Sequence, residues 1–361
     1  MNKKLMTVLV ISLFLTSGIT YLMVGTSGSE DEDSPDPELE KGGSEKSGLD
    51  RIYKATDVIH RNHENNLGRR SSIRYGETIF VCYTWNNGSN IQLSMVASNN
   101  SGKDWTAEID IWSGSSSTYH QVRTDFYIWK GDLYLFYITE AYSRSLRYLL
   151  YKSASIENWR GISSASSHKF SLNYAMDYSL DSDDDYLYLA LVRTSYLRGY
   201  FARFNGDSWT NFNTVVPNQC SRVNIVACEN ETGSKLLFIY DRYKQSGAPA
   251  TGYAYMRTST NNGDTWTYSS TTLLDDYTDY YSINSFNING TILLFFSRLL
   301  NDEIILTISR DMGSTWSEGK DLVTSRGLDT ISNLGNSYSA SVGDDGDVYL
   351  CYETSSGDIE F

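Results

Sequence analysis

The sequence predicts an all-β fold, a propeller of six four-stranded antiparallel blades preceded by one N-terminal hydrophobic helix, and two periodic signals carry that reading. The first is a run of aliphatic and aromatic residues that recurs six times, ending at Tyr83, Tyr137, Leu191, Tyr240, Phe296 and Tyr352, at separations of 54, 54, 49, 56 and 56 residues. A fixed period of that length marks a repeated supersecondary unit. Runs such as Leu133-Tyr134-Leu135-Phe136-Tyr137 show no polar alternation and are bounded by Gly and Asp, as strands buried on both faces are. The second signal is an eight-residue turn, Ser309-Arg310-Asp311-Met312-Gly313-Ser314-Thr315-Trp316, which returns at residues 259–266 and 98–105 with Asn in place of Asp. Shorter, worn copies end at Trp159 and Trp209.

Taken in order, the chain opens with Lys3 and Lys4 followed by an uncharged apolar stretch over residues 5–24. That is close to the roughly 20 residues a spanning helix requires. No small-x-small cleavage site follows and the segment holds no Cys for lipidation, so residues 1–25 are expected to be an uncleaved signal-anchor with the lysines inside and the rest outside. A cleaved signal peptide, and hence a secreted protein, is the alternative. Residues 26–48 turn to Ser, Gly, Pro and charge, with Glu30, Asp31, Glu32 and Asp33 in a row; such a segment cannot bury enough apolar surface to fold and reads as a disordered, self-repelling linker.

Residues 49–361 form the expected propeller. In each period a short strand and a Gly or Asp turn precede the apolar run, and a third strand and the Trp-bearing turn follow it, giving four antiparallel strands. Within that last turn the third-position Asp or Asn can accept backbone N–H groups, and the Gly two residues on tolerates a positive φ. The sixth unit stops at Phe361 after its third strand, so the segment around Arg51 and Ala55 is expected to supply the closing strand. Ring closure of this kind leaves only short, protected edges.

Composition narrows the function. A net charge of −14 with no basic stripe argues against nucleic acid. The four cysteines, Cys82, Cys220, Cys228 and Cys351, lack metal-ligand spacing and suit buried small hydrophobes, although an exported protein permits disulfides. Four sequons, at Asn87, Asn99, Asn230 and Asn289, are compatible with export. His60 and His63 have no third ligand nearby, and the acidic run from Asp181 to Asp185 reads as a solvated turn before it reads as a calcium site. No cofactor or metal is expected, and the protein is expected to be a monomer.

The eight-residue turn resembles the Asp-box, or BNR, repeat of the sialidase-like superfamily. That resemblance implies a six-bladed propeller with the boxes on the rim, away from the catalytic centre. It extends to the carboxyl end, where Tyr338-Ser339, Tyr352-Glu353 and Ile359-Glu360-Phe361 look like the sialidase pattern in which the Tyr is the nucleophile. By resemblance, Tyr338 would be that nucleophile and Glu353 would orient an arginine. The rest departs from the pattern: the R-I-P entry to blade one is here Arg69-Arg70-Ser71-Ser72-Ile73, and the loop expected to hold the acid, Trp85-Asn86-Asn87-Gly88-Ser89-Asn90, has no carboxylate. Ala254 and Ile304 stand where two family arginines should be, and Gln219 where a Glu is expected.

Counting two residues past each apolar run gives Trp85, Thr139, Arg193, Arg242, Arg298 and Thr354, so three successive blades put an Arg at one register. Rotation about the channel would bring the three guanidinium groups to one arc of the mouth, with Trp85 on the ring and Tyr338 and Arg70 entering from neighbouring blades. Arginine suits bidentate capture of carboxylate or sulfate. An Arg at a strand end also pairs with a local carboxylate or snorkels into solvent, so the register alone does not make a site. The expectation is a membrane-tethered extracellular propeller that binds an acidic glycan or other anionic ligand without hydrolysis. An active exo-sialidase using Tyr338, or a surface scaffold for proteins, are the alternatives.

Overall fold

The computed structural model of the chain describes residues 72–360 apart from positions 87, 101–102, 142–146, 194, 231–232, 243–253, 269, 275–279, 289, 299–302, 324–337, 343–347 and 354–358. The expected anchor at residues 1–25, the expected linker at 26–48, the expected closing segment near Arg51, Arg70 and the two histidines at 60 and 63 lie outside the described residues. Among the described residues no helix is long and apolar enough to cross a membrane.

Every sheet is an up-and-down antiparallel meander. Sheet one holds β1 (Ser72–Tyr75), β2 (Thr78–Asn86), β3 (Asn90–Ser98) and β4 (Ile109–Ser115). Sheet two holds β5 (Tyr119–Trp129), β6 (Asp132–Ala141), β7 (Arg147–Ser155) and β8 (His168–Asn173). Sheet three holds β9 (Ala175–Ser182), β10 (Leu187–Arg193), β11 (Arg198–Phe204) and β12 (Asn213–Val216). Sheet four holds β13 (Cys220–Asn230), β14 (Gly233–Arg242), β15 (Ala254–Ser259) and β16 (Thr271–Leu274). Sheet five holds β17 (Tyr280–Ile288), β18 (Thr291–Arg298), β19 (Glu303–Ser309) and β20 (Lys320–Val323). A three-stranded sheet, β21 (Tyr338–Val342), β22 (Val348–Glu353) and β23 (Ile359–Glu360), follows.

The apolar runs are the second strands, and their two faces serve different cores. On β10, Leu187, Leu189 and Leu191 join Phe136 and Tyr178 between sheets two and three, while Tyr188, Ala190 and Val192 join Val223 and Phe238 between sheets three and four. On β14 the split repeats, with Phe238 and Tyr240 facing sheet three and Leu237 and Ile239 facing sheet five. A strand with a core on each side has no polar face to alternate, which is why the sequence runs apolar without a break. Sheets one and five each keep a further buried apolar face, at Val81 and Tyr83 and at Leu293 and Phe295.

First strands follow another rule. Asp177, Ser179 and Asp181 of β9 accept the backbone N–H groups of Val223, Ile225 and Ala227 of β13 at 2.9, 3.2 and 2.8 Å. The free edge of one first strand is thus saturated by side chains of the strand before it, as a buried edge requires. β13 and β17 are laced similarly, through Asn224 to the carbonyl of Ile283 at 3.3 Å and Asn287 to the carbonyl of Ala227 at 2.9 Å.

The Trp-bearing turns all join third to fourth strands. In the copy at residues 309–316, Asp311 Oδ1 accepts Thr315 N–H at 2.8 Å and Oδ2 accepts the Thr315 hydroxyl at 2.6 Å, which holds the Asp311 carboxyl down at about 2. Ser309 Oγ accepts Gly313 N–H at 2.7 Å, so the first-position Ser secures the turn along with the Asp. Asn261 and Ser259 repeat both bonds, to Thr265 at 3.0 Å and Gly263 at 2.9 Å. The worn copy at 155–159 differs: burial of Ile156 and Ile162 draws it into a 3-10 helix, Ile156–Ser163, and Trp159 packs edge-on against Phe80 at 5.4 Å from within that helix.

Candidate functional site

Strand direction decides which ends share a face. Second strands run away from the turns that join them to first strands, so their last residues lie where first strands begin. The Trp-bearing turns are at the opposite end. Arg193, Arg242 and Arg298 are the last residues of β10, β14 and β18, and each pairs with the opening residue of its first strand, Ala175, Cys220 and Tyr280. All three pairings sit at a bulge in the ladder, so the shared register extends to the backbone irregularity beside it. Thr139 occupies the same register on β6 but is buried and followed by two more strand residues, and Thr354 lies outside the described residues.

Of the three arginines, only the side chain of Arg193 is among those described. It is half-buried, with its guanidinium 5.5 Å from the ring centres of both Tyr174 and Tyr196. Its Nε is buried without a hydrogen-bond partner. Arg198, which the sequence reading did not single out, faces Arg193 across the hairpin, lies 4.8 Å from the Tyr196 ring and donates Nε–H to the Pro217 carbonyl at 3.0 Å. No sequence signal marks it, because the pairing of Arg193 with Arg198 depends on a turn whose length no repeat fixes. An exposed Tyr196 between two cations offers an aromatic face and two forked donors to one ligand.

Trp85 is packed with Tyr83 and Val81, 8% exposed, and donates Nε1–H to Ser94 Oγ at 3.1 Å, so it offers a ligand little more than an edge. Tyr338 opens β21 opposite Tyr352, and Glu353 pairs with Ile359; their side chains, like that of Arg242, Arg298 and Cys351, lie outside the described residues. Ala254 and Ile304, at the two positions where the resemblance implies arginines, are fully buried. Gln219 sits immediately before β13 with φ +59°.

Behind Arg242 lies a fully buried carboxylate. Asp241 accepts the N–H groups of Ser221 and Arg222 at 3.1 and 2.5 Å and the Ser221 hydroxyl at 2.7 Å, fixing the two residues that oppose it in the sheet-four bulge. Burial pushes its carboxyl up to about 6, against the pull of the Arg222 charge and these donors. A folded value above the unfolded one favours the protonated native state, so this contribution is complete below about pH 4 and is lost as pH rises through about 6. Asp241→Asn is therefore expected to flatten the stability profile across that window, read by thermal melts at a series of pH values; an unchanged slope would contradict it. Cys220 beside it is a buried thiol pushed well up by burial, and burial likewise pushes Cys82 and Cys228 up, both to about 12.

The other face carries a cleft of about 270 Å³ lined by Asp183, Asp184, Glu229, Lys235, Asn262 and Asn287, among others. Its acidic wall repels anions. Asp183 is also occupied, accepting N–H groups from Asp185 and Tyr186 at 2.8 and 2.7 Å and the Tyr188 hydroxyl.

No protein-family model matches the sequence, and no curated protein matches it. Solved structures do. An α-L-arabinofuranosidase from Fusarium graminearum, crystallised with an iminosugar inhibitor, is 10% identical over 82% of this chain and 93% of its own, with a TM-score of 0.50. A triple arginine-to-alanine mutant of AofleA from Arthrobotrys oligospora is 11% identical over 80% and 82%, with a TM-score of 0.49. A GH43 endo-arabinanase from Bacillus licheniformis is 14% identical over 83% and 99%, with a TM-score of 0.40. At these identities the likeness is one of fold alone, and the first of the three carries it: the meandering four-stranded sheets are those of a β-propeller.

Proposed function

We propose that the protein is a membrane-tethered, extracytoplasmic six-bladed propeller that binds an acidic glycan at the face where Arg193, Arg242 and Arg298 end their strands, without hydrolysing it. The observation that carries this is the shared register of the three arginines, one of them held between two tyrosine rings. Guanidinium groups recognise carboxylate and sulfate in planar, forked geometry, and aromatic faces accept sugar rings. Arg70 and Tyr338 complete the mouth in this reading, with the buried Trp85 contributing an edge at most. Hydrolysis is disfavoured because the 85–90 loop has no carboxylate and buried Ala254 and Ile304 replace the arginines a sialidase would use. The likeness to sugar-processing propellers is compatible with a glycan ligand.

A glycan array probed with the full chain at low and high salt tests this. Binding should concentrate on uronic or sialic acid and sulfated glycans, weaken as salt screens the charges, and fall in Arg242→Ala and Arg298→Ala. Binding only to neutral glycans, or acidic-glycan binding indifferent to both substitutions, would sink the reading.

The ring in this reading closes through residues 49–66, which add the fourth strand to sheet six; that sheet then lies between the apolar faces left on sheets one and five. Residues 5–24 anchor the domain and residues 26–48 hold it off the bilayer. Deleting residues 49–66 should lower the melting temperature, whereas deleting residues 26–46 should not. Equal melting of both truncations and the parent would refute the closure.

A further inference from the structure

Arg193 and Arg198 are direct partners across the β10–β11 hairpin. Like charges placed opposite each other destabilise a sheet, and a chain of net charge −14 has ample carboxylates to neutralise them. Yet among the described residues neither guanidinium is ion-paired, unlike those of Arg74 and Arg203. Arg193 Nε is buried and unpartnered, and Arg198 is held by a carbonyl rather than by a charge. Both guanidiniums lie against the ring of Tyr196, which is 58% exposed, at 5.5 and 4.8 Å.

The backbone around them is strained as well. Tyr174, Leu197 and Gln219 all have left-handed φ, at +64°, +46° and +59°, and Cys220 N–H donates to the Leu197 carbonyl at 2.7 Å, tying the hairpin tip to the start of β13. Bulky residues held in this conformation persist where surrounding structure imposes it, and they cluster at ligand clamps. An uncompensated cation pair, an orphaned donor, an exposed ring and local strain thus meet at one hairpin.

We infer that Arg193 and Arg198 form a two-guanidinium clamp for a single oxyanion group, a carboxylate or a sulfate ester, with Tyr196 as the platform for the sugar ring that bears it. The inference rests on the acidic-glycan reading and sharpens it, since it assigns anion capture to one blade's hairpin and to Arg198. A bridging oxyanion would offset the repulsion between the two guanidiniums.

Arginine side-chain Nε–H signals of the full chain, assigned through Arg193→Gln and Arg198→Gln, test it during titration with a uronic-acid disaccharide, a sulfated disaccharide and their neutral counterpart. Both signals should move together and saturate with one or both acidic probes, stay still with the neutral one, and Arg198→Gln should weaken the response by about tenfold or more. The two acidic arms tell which oxyanion the clamp takes. If the array shows acidic-glycan binding while both signals stay unmoved, the clamp is wrong and the wider reading stands. If the signals stay unmoved and no acidic glycan on the array binds, the clamp and the wider reading both fail.

Discussion

Gly263→Ala is expected to destabilise the protein by about 3–5 kcal/mol, combining overpacking with the cost of a side chain at positive φ. Gly263 has φ +85°, and a Cβ there would lie 2.0 Å from Cε1 and 2.4 Å from Cζ of Phe201. That ring has no room to retreat, because it is buried against Tyr188 at 5.9 Å and Trp266 at 5.1 Å. Gly76→Ala is the control, since Gly76 has φ +57° with nothing near its absent Cβ and should cost only about 1–2 kcal/mol. Denaturant unfolding of both variants measures the difference; equal losses would mean that Gly263 matters only for its dihedral angle and that the turn does not abut sheet three.

Trp209→Ala carries the second large effect, a loss of about 3 kcal/mol, the lower end for truncating a large aromatic because the ring is only partly buried. Its sequence context is worn, and from the sequence alone this tryptophan is expected to matter less than those of the complete boxes. In the structure it nonetheless packs against the core between sheets two and three. Its ring meets Phe136, Phe170 and Phe204 at 6.2, 5.2 and 5.2 Å, and Tyr151 at 6.0 Å. Asn205 still secures the turn by accepting N–H groups from Asp207 and Ser208 at 2.9 and 3.0 Å. A loss below that of Trp316→Ala in the same unfolding series would show that the degraded motif has also lost its packing role.

What the sequence disclosed depended on which interactions leave a periodic trace. Second strands did, because burial on both faces writes an unbroken apolar run, and so did the third-to-fourth turns, because Asp311 and Asn261 must stand at a fixed distance from the groups they bind. The lacing of first strands left no such trace. Asp177, Ser179 and Asp181 alternate with Tyr178 and Leu180 as on any half-exposed strand, and only the neighbouring β13 edge shows that the polar side is satisfied by backbone rather than by water.

At the candidate site the arginine register was legible by counting, since Arg193, Arg242 and Arg298 each follow an apolar run by the same interval. Arg198 was not, because its position depends on hairpin pairing across a turn whose length no repeat fixes. The burial of Trp85 was also hidden: a Trp near a strand end reads as a binding platform until the Ser94 bond and its packing on Tyr83 are known. In the worn segment before Trp159, helix replaced turn because two isoleucines outweighed the motif's remnants.

Acidic-sugar binding without cleavage is tested most directly by titrating the full chain calorimetrically with a uronic-acid oligosaccharide and then determining the length of the recovered ligand. Saturable binding that falls about tenfold or more in Arg193→Ala, with the oligosaccharide recovered intact, is the predicted result. No binding, binding unaffected by the substitution, or recovery of shortened products whose formation stops in Tyr338→Phe would contradict it.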